Sequence, residues 1–73
     1  MMYEYDAVNE KCPLPLVKMR VILKKMQIGD EFKMHIYDKG SKKNIINYLQ
    51  KFSWVFEQQL ITGDILVIKL KKE

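Results

Sequence analysis

Alternating and helically spaced apolar residues divide the chain into six blocks. Over residues 2–8, Tyr3, Tyr5 and Ala7 share one face and Glu4 and Asp6 the other, the two-residue period of a strand. Over residues 13–27, Leu16, Met19, Ile22, Leu23 and Met26 fall in one stripe at helical spacing, while Lys18 and Lys25 project away from it. Gly29 ends the Gln27–Asp30 connection. Residues 31–37 alternate again, with Phe32, Met34 and Ile36 set against Glu31, Lys33 and His35. Asp38-Lys39-Gly40-Ser41 reads as a loop, with Ser41 as N-cap of a second helix over about 42–51. The core stripe of that helix is Ile45, Tyr48, Leu49 and Phe52. Residues 53–61 and 65–71 read as two strands joined by the turn Thr62-Gly63-Asp64, across which Trp54, Phe56 and Leu60 meet Ile65 and Val67.

The order is β-α-β-α-β-β. A strand, a helix and a strand imply a right-handed parallel crossover, and each helix has one apolar stripe to bury. The expected fold is an α/β (α+β) two-layer sandwich, with two helices on one face of a four-stranded sheet, formed as one domain over residues 1–73. The first helix and the 38–41 loop both follow the C-terminal ends of parallel strands, where such folds place their sites. Cys12 and the Asp38–Ser41 loop are therefore expected to be neighbours. His35 belongs to a strand surface away from them.

Composition narrows the function classes. A chain of 73 residues with 48% hydrophobic residues supports one small core. No stretch approaches the ~20 apolar residues of a membrane span. Tyr3-Glu4-Tyr5-Asp6 interrupts any early apolar run, so no signal peptide is expected. The lone Cys12 forms no internal disulfide, which fits a reducing cytoplasm. One Cys and one His do not make a structural zinc site, so no metal or cofactor is expected. The net charge of +4 permits contact with RNA or an acidic protein. Twelve of the 13 basic residues are lysine, however, and base-specific reading favours arginine.

Candidate chemistry centres on Cys12-Pro13-Leu14-Pro15. Proline suits the first helical position and excludes its predecessor from the α region. Cys12 is thus expected at the N-cap, with its sulfur beside the free N–H groups of the first turn, a setting that favours thiolate. The competing reading makes the lone cysteine a small buried hydrophobe. Leu14, Val17 and Val21 are apolar yet fall opposite the core stripe. Flanked by Lys18, Arg20, Lys24 and Lys25, they form a candidate docking strip beside the cysteine.

The run Asp6-Ala7-Val8-Asn9-Glu10-Lys11-Cys12-Pro13-Leu14-Pro15-Leu16 resembles the signature of the TusA/SirA/YedF sulfur-carrier family. The likeness continues through Arg20, through Met26-Gln27-Ile28-Gly29 and through Asp38-Lys39-Gly40-Ser41, covering nearly the whole chain in the family's order. The chain departs from the pattern at Asn9, usually glycine, and at Lys39, often proline. The resemblance implies a mixed sheet in order 1-2-4-3 with the last strand antiparallel. It implies that Cys12 carries a persulfide, flanked by Pro13, Pro15, Asp38, Gly40 and Ser41. It also implies that Leu14, Val17, Lys18, Arg20, Val21 and Lys24 meet partners. Those partners would be a cysteine desulfurase or rhodanese-like donor and a downstream acceptor protein, acting in tRNA thiolation or related sulfur metabolism. Such a carrier works as a sulfurtransferase only with its partners. Two other classes compete with it. One is a small α/β nucleic-acid-binding or protein-interaction module without thiol chemistry. The other is a redox switch limited to intermolecular pairing. Asp38 also has a purely structural reading, since aspartates at strand ends bond loop backbone.

Overall fold

The structure, a computed structural model, describes residues 2–72. The elements run β1 (Met2–Ala7), α1 (Leu14–Lys25), β2 (Glu31–Ile36), α2 (Lys39–Lys51), β3 (Phe56–Leu60) and β4 (Leu66–Lys71), with a short 3-10 turn at Thr62–Asp64. The sheet order is β1-β2-β4-β3. β1 and β2 are parallel, while β4 runs antiparallel to both of its neighbours, β2 and β3. This is the expected topology.

Register explains the core. Tyr3, Tyr5 and Ala7 lie beside Phe32, Met34 and Ile36, which in turn face Leu70, Ile68 and Leu66. Against this face α1 packs Met19 and Leu23, Met26 follows at its C-cap, and α2 packs Ile45 and Leu49. Each such buried side chain contributes about 1.5–3 kcal/mol relative to exposure. The opposite face carries Glu4, Lys33, Lys69 and Glu57 in one cross-strand row, a polar surface that needs no cover. His35 lies on this open face beside Asp6, away from Cys12. Among the described residues, no helix is long and apolar enough to cross a membrane.

Several boundaries differ from expectation. α1 ends at Lys25, because Met26 turns to an extended conformation. α2 begins at Lys39, not after Ser41: the Asp38 side chain accepts the Ser41 N–H, so Asp38 is the cap and Ser41 is buried inside the first turn. Phe52 lies beyond the end of α2 and is exposed, stacked near Tyr48. β3 begins only at Phe56, leaving Trp54 outside the strand. Leu60 pairs with Leu66, and Val67 faces Gln59, not an apolar partner. The three-residue turn is the expected one, but it sets even-numbered positions opposite even-numbered ones, so Phe56 and Leu60 meet Leu70 and Leu66 rather than Ile65 and Val67.

Gly29, at φ +94, lets the α1–β2 connection turn back so that its N–H reaches the Lys72 carbonyl at 2.7 Å. The Lys72 N–H returns to the Asp30 carbonyl at 2.9 Å. An added Cβ at Gly29 meets nothing within 4 Å, so its cost is that of the backbone alone. Gly29→Ala is expected to lose about 1–2 kcal/mol in urea unfolding. An unchanged midpoint would show that this turn relaxes freely.

Candidate functional site

Cys12 is not the cap of α1. Pro13 occupies the N-cap and Cys12 precedes it, with no side-chain cap bond to α1. The first turn is also poor in donors. Pro13 and Pro15 lack an N–H, Leu14 donates to the Lys11 carbonyl at 3.0 Å, and Val17 donates to the Pro13 carbonyl at 3.2 Å. The expected cradle of free α1 N–H groups around the sulfur is therefore not formed. Pro15 turns inward and is fully buried, so its role is packing under the Cys12 loop.

The donor to the thiol comes from α2 instead. Asn44 Nδ2 lies 2.7 Å from Cys12 Sγ. Cys12 itself is exposed. Its backbone is held by Asp38, whose Oδ2 accepts from Cys12 N at 3.3 Å, from Ser41 N at 2.9 Å and from Ser41 Oγ at 3.0 Å. One carboxylate oxygen thus caps α2 and ties the cysteine loop to it. These bonds, led by the Ser41 N–H and followed by that of Cys12, hold the Asp38 carboxyl below its ordinary range, and Lys11 adds to the effect. Gly40 completes the contact: a Cβ there would stand 3.5 Å from Cys12 Cβ and 3.4 Å from Asp38 Oδ2.

A second network steadies the loop from the β1 side. The Tyr5 hydroxyl donates to Glu10 Oε1 at 2.6 Å, and Lys18 pairs with Glu10 Oε2 at 2.9 Å. The Tyr5 bond first, and then Lys18, hold the Glu10 carboxyl below its usual range. Burial, reinforced by Glu10, raises the Tyr5 phenol above its ordinary value.

On the outer side of α1, Leu14, Val17 and Val21 are 44%, 49% and 51% exposed. Lys18 lies toward Tyr5 on one flank, and Arg20 lies over the Tyr48 ring, 5.9 Å away, on the other. Beside the Asp38 loop, the ends of β1 and β2 bound an open cleft of about 800 Å³ whose rim includes Lys11, Lys39 and Lys42.

The sequence pattern of the family described as Sulfurtransferase TusA matches residues 3–72. The chain belongs to the TusA family. A candidate sulfur carrier protein of Bacillus subtilis (strain 168), YrkI, is 27% identical over 67 residues, spanning 92% of this chain and 89% of that protein. The crystal structure of a SirA-like protein from Desulfitobacterium hafniense superposes with a TM-score of 0.83 over the full length of both chains, at 16% identity. That likeness establishes the shared fold.

Within this TusA-family chain, the structure brings together Cys12, Pro13, Asp38, Gly40 and Ser41. It sets Leu14, Val17 and Val21 along the adjacent outer face of α1 with Lys24, which is also exposed. Sequence reasoning missed Asn44 and Glu10. Asn44 follows Ser41 by three residues, on the same edge of α2, and that spacing was the available signal. Glu10 gave none, because its partners Tyr5 and Lys18 sit on different elements.

Proposed function

We propose that the protein is a sulfur carrier that holds a persulfide on Cys12 and relays its outer sulfur from a donor protein to an acceptor protein. The observation that carries this reading is the exposed Cys12 sulfur with the Asn44 amide directed at it. Hydrogen bonds to anionic acceptors are stronger than neutral ones, so such a donor suits a thiolate and the persulfide anion that replaces it. Membership of the TusA family and the likeness to a candidate sulfur carrier support the reaction.

The chemistry balances without a cofactor. The Cys12 thiolate attacks the outer sulfur of a donor persulfide. A new S–S bond forms on Cys12, the donor's S–S bond breaks, and the donor cysteine leaves as thiolate. An acceptor thiolate repeats the step on Cys12 and releases it as thiolate. With one cysteine in this sequence, no neighbouring thiol in the chain cuts the persulfide short. A cysteine desulfurase or rhodanese-like protein is the donor class, and tRNA thiolation or related cytoplasmic sulfur metabolism is the destination. Incubation with a cysteine desulfurase and cysteine should add one sulfur mass, removable by a reductant. A mass that never changes with any persulfide donor, together with salt-sensitive RNA binding, would favour the nucleic-acid module instead.

Docking is assigned to the Leu14–Val17–Val21 strip with its basic flanks. Val17→Glu replaces a half-exposed side chain, so stability should stay within about 0.5 kcal/mol. Sulfur transfer from a donor protein should fall about tenfold or more through loss of apolar contact and a wrong charge. A small-molecule persulfide should still load the variant normally. Equal transfer from the protein donor would move docking elsewhere.

A further inference from the structure

The outer edge of β3 has features of a self-pairing surface. β3 pairs with β4 on one side, and among the described residues no strand or backbone hydrogen bond occupies the other. The hairpin fixes which groups point outward. The Ile61 N–H donates to the Ile65 carbonyl at 2.8 Å, marking a hydrogen-bonded pair. Such pairs alternate with non-bonded ones along an antiparallel ladder. Gln59 and Glu57 therefore direct their backbone groups to Val67 and Lys69, while Phe56, Gln58 and Leu60 direct theirs outward.

Natural sheet edges are usually blunted by lysine, proline or a bulge. Val55-Phe56-Glu57-Gln58-Gln59-Leu60-Ile61 has no lysine or proline and a single charge. Its polarity is symmetric about Gln58. In an antiparallel pairing of two copies about that residue, Phe56 meets Leu60, Glu57 meets Gln59 and Val55 meets Ile61. Apolar residues face apolar ones, and neither Glu57 faces its own copy, which would be destabilising. Val55 and Leu60, 71% and 64% exposed, gain apolar neighbours. The outward N–H and C=O groups of Phe56, Gln58 and Leu60 then match those of the second chain, two bonds at each hydrogen-bonded pair.

We infer that β3 is a dimerisation edge: two copies of this chain pair antiparallel about Gln58, joining their sheets into one. The pairing uses no atom of Cys12, Asp38 or the α1 strip, and so stands apart from the sulfur-carrier reading. A contact of one short strand is small, so the dimer is weak, with a dissociation constant on the order of 100 µM.

Sedimentation velocity from about 10 µM to about 1 mM should show monomer passing to dimer. Over that range, amide exchange should slow at Phe56, Gln58 and Leu60. Glu57 and Gln59, already bonded to β4, should be protected throughout. Gln58→Lys opposes two lysines at the two-fold axis and should weaken association at least tenfold, as should Leu60→Lys at its exposed position, both with unchanged sulfur loading. A monomer at about 1 mM overturns the inference. So does a dimer whose three outward amides stay unprotected, or one that is indifferent to both lysine variants.

Discussion

Cys12→Ser is expected to fold like the wild type and to gain no sulfur from any persulfide donor. Cys12 is exposed, outside the core and outside both helices, so replacing sulfur by oxygen removes little packing. The backbone N–H that binds Asp38 remains, and the serine hydroxyl can accept from Asn44. Stability should shift by no more than about 0.5 kcal/mol. Chemistry, by contrast, is lost completely, because a hydroxyl forms no persulfide under these conditions. Intact mass after incubation with a desulfurase and cysteine reads the difference: one added sulfur on the wild type, none on the variant. A variant that gains the same mass would show that the sulfur is held elsewhere, and Cys12 would then be a bystander.

Much of the fold was legible because its elements are strongly periodic. The alternation of Phe32, Met34 and Ile36 and the stripe through Met19, Leu23 and Met26 specify which faces are buried, and the structure buries all six. Where short-range signals compete, the sequence misleads. Ser41 and Asp38 are both good caps, and Ser41 lies where an N-cap is expected. Asp38 wins because its carboxylate serves Ser41 and Cys12 together, a gain visible only once the two loops meet. The hairpin partners differ for a geometric reason: a three-residue turn sets even positions opposite even ones, so Phe56 and Leu60 meet Leu70 and Leu66, while Val67 faces Gln59.

The site was legible as a neighbourhood rather than as a set of bonds. Parallel strand ends place the Cys12 loop and the Asp38 loop together, and topology alone requires that. The donor to the sulfur was assigned to the wrong helix. An N-terminal turn ordinarily offers free N–H groups, but here two prolines and the Leu14–Lys11 bond consume most of them. The deficit is met by a side chain from α2, 32 residues along the chain from Cys12. Nothing local to Cys12 encodes that partner.

Asp38→Asn should expose how far the site depends on this single carboxylate. Its hydrogen bonds from Ser41 and Cys12 hold the carboxyl below its ordinary value of 3.8 in the folded protein. The unfolded chain therefore takes up a proton at higher pH than the folded one. The stabilisation from Asp38 is full above the unfolded value and is lost as pH falls through the lower, folded value. Melting temperatures of wild type and Asp38→Asn should thus differ most near neutrality and converge as the pH drops below the ordinary carboxylate range. Glu10 and Asp30 are held low in the same sense, so the variant keeps part of the acid sensitivity. Asp38→Ala, which also removes the α2 cap, should melt several degrees lower still at neutral pH. In Asp38→Ala the Cys12 loop loses its tether to α2, and sulfur loading should slow while the thiol stays open to alkylation. If the wild-type and Asp38→Asn melting curves run parallel across the whole pH range, the charge contributes nothing to stability. Asp38 would then be a hydrogen-bond acceptor that an amide replaces.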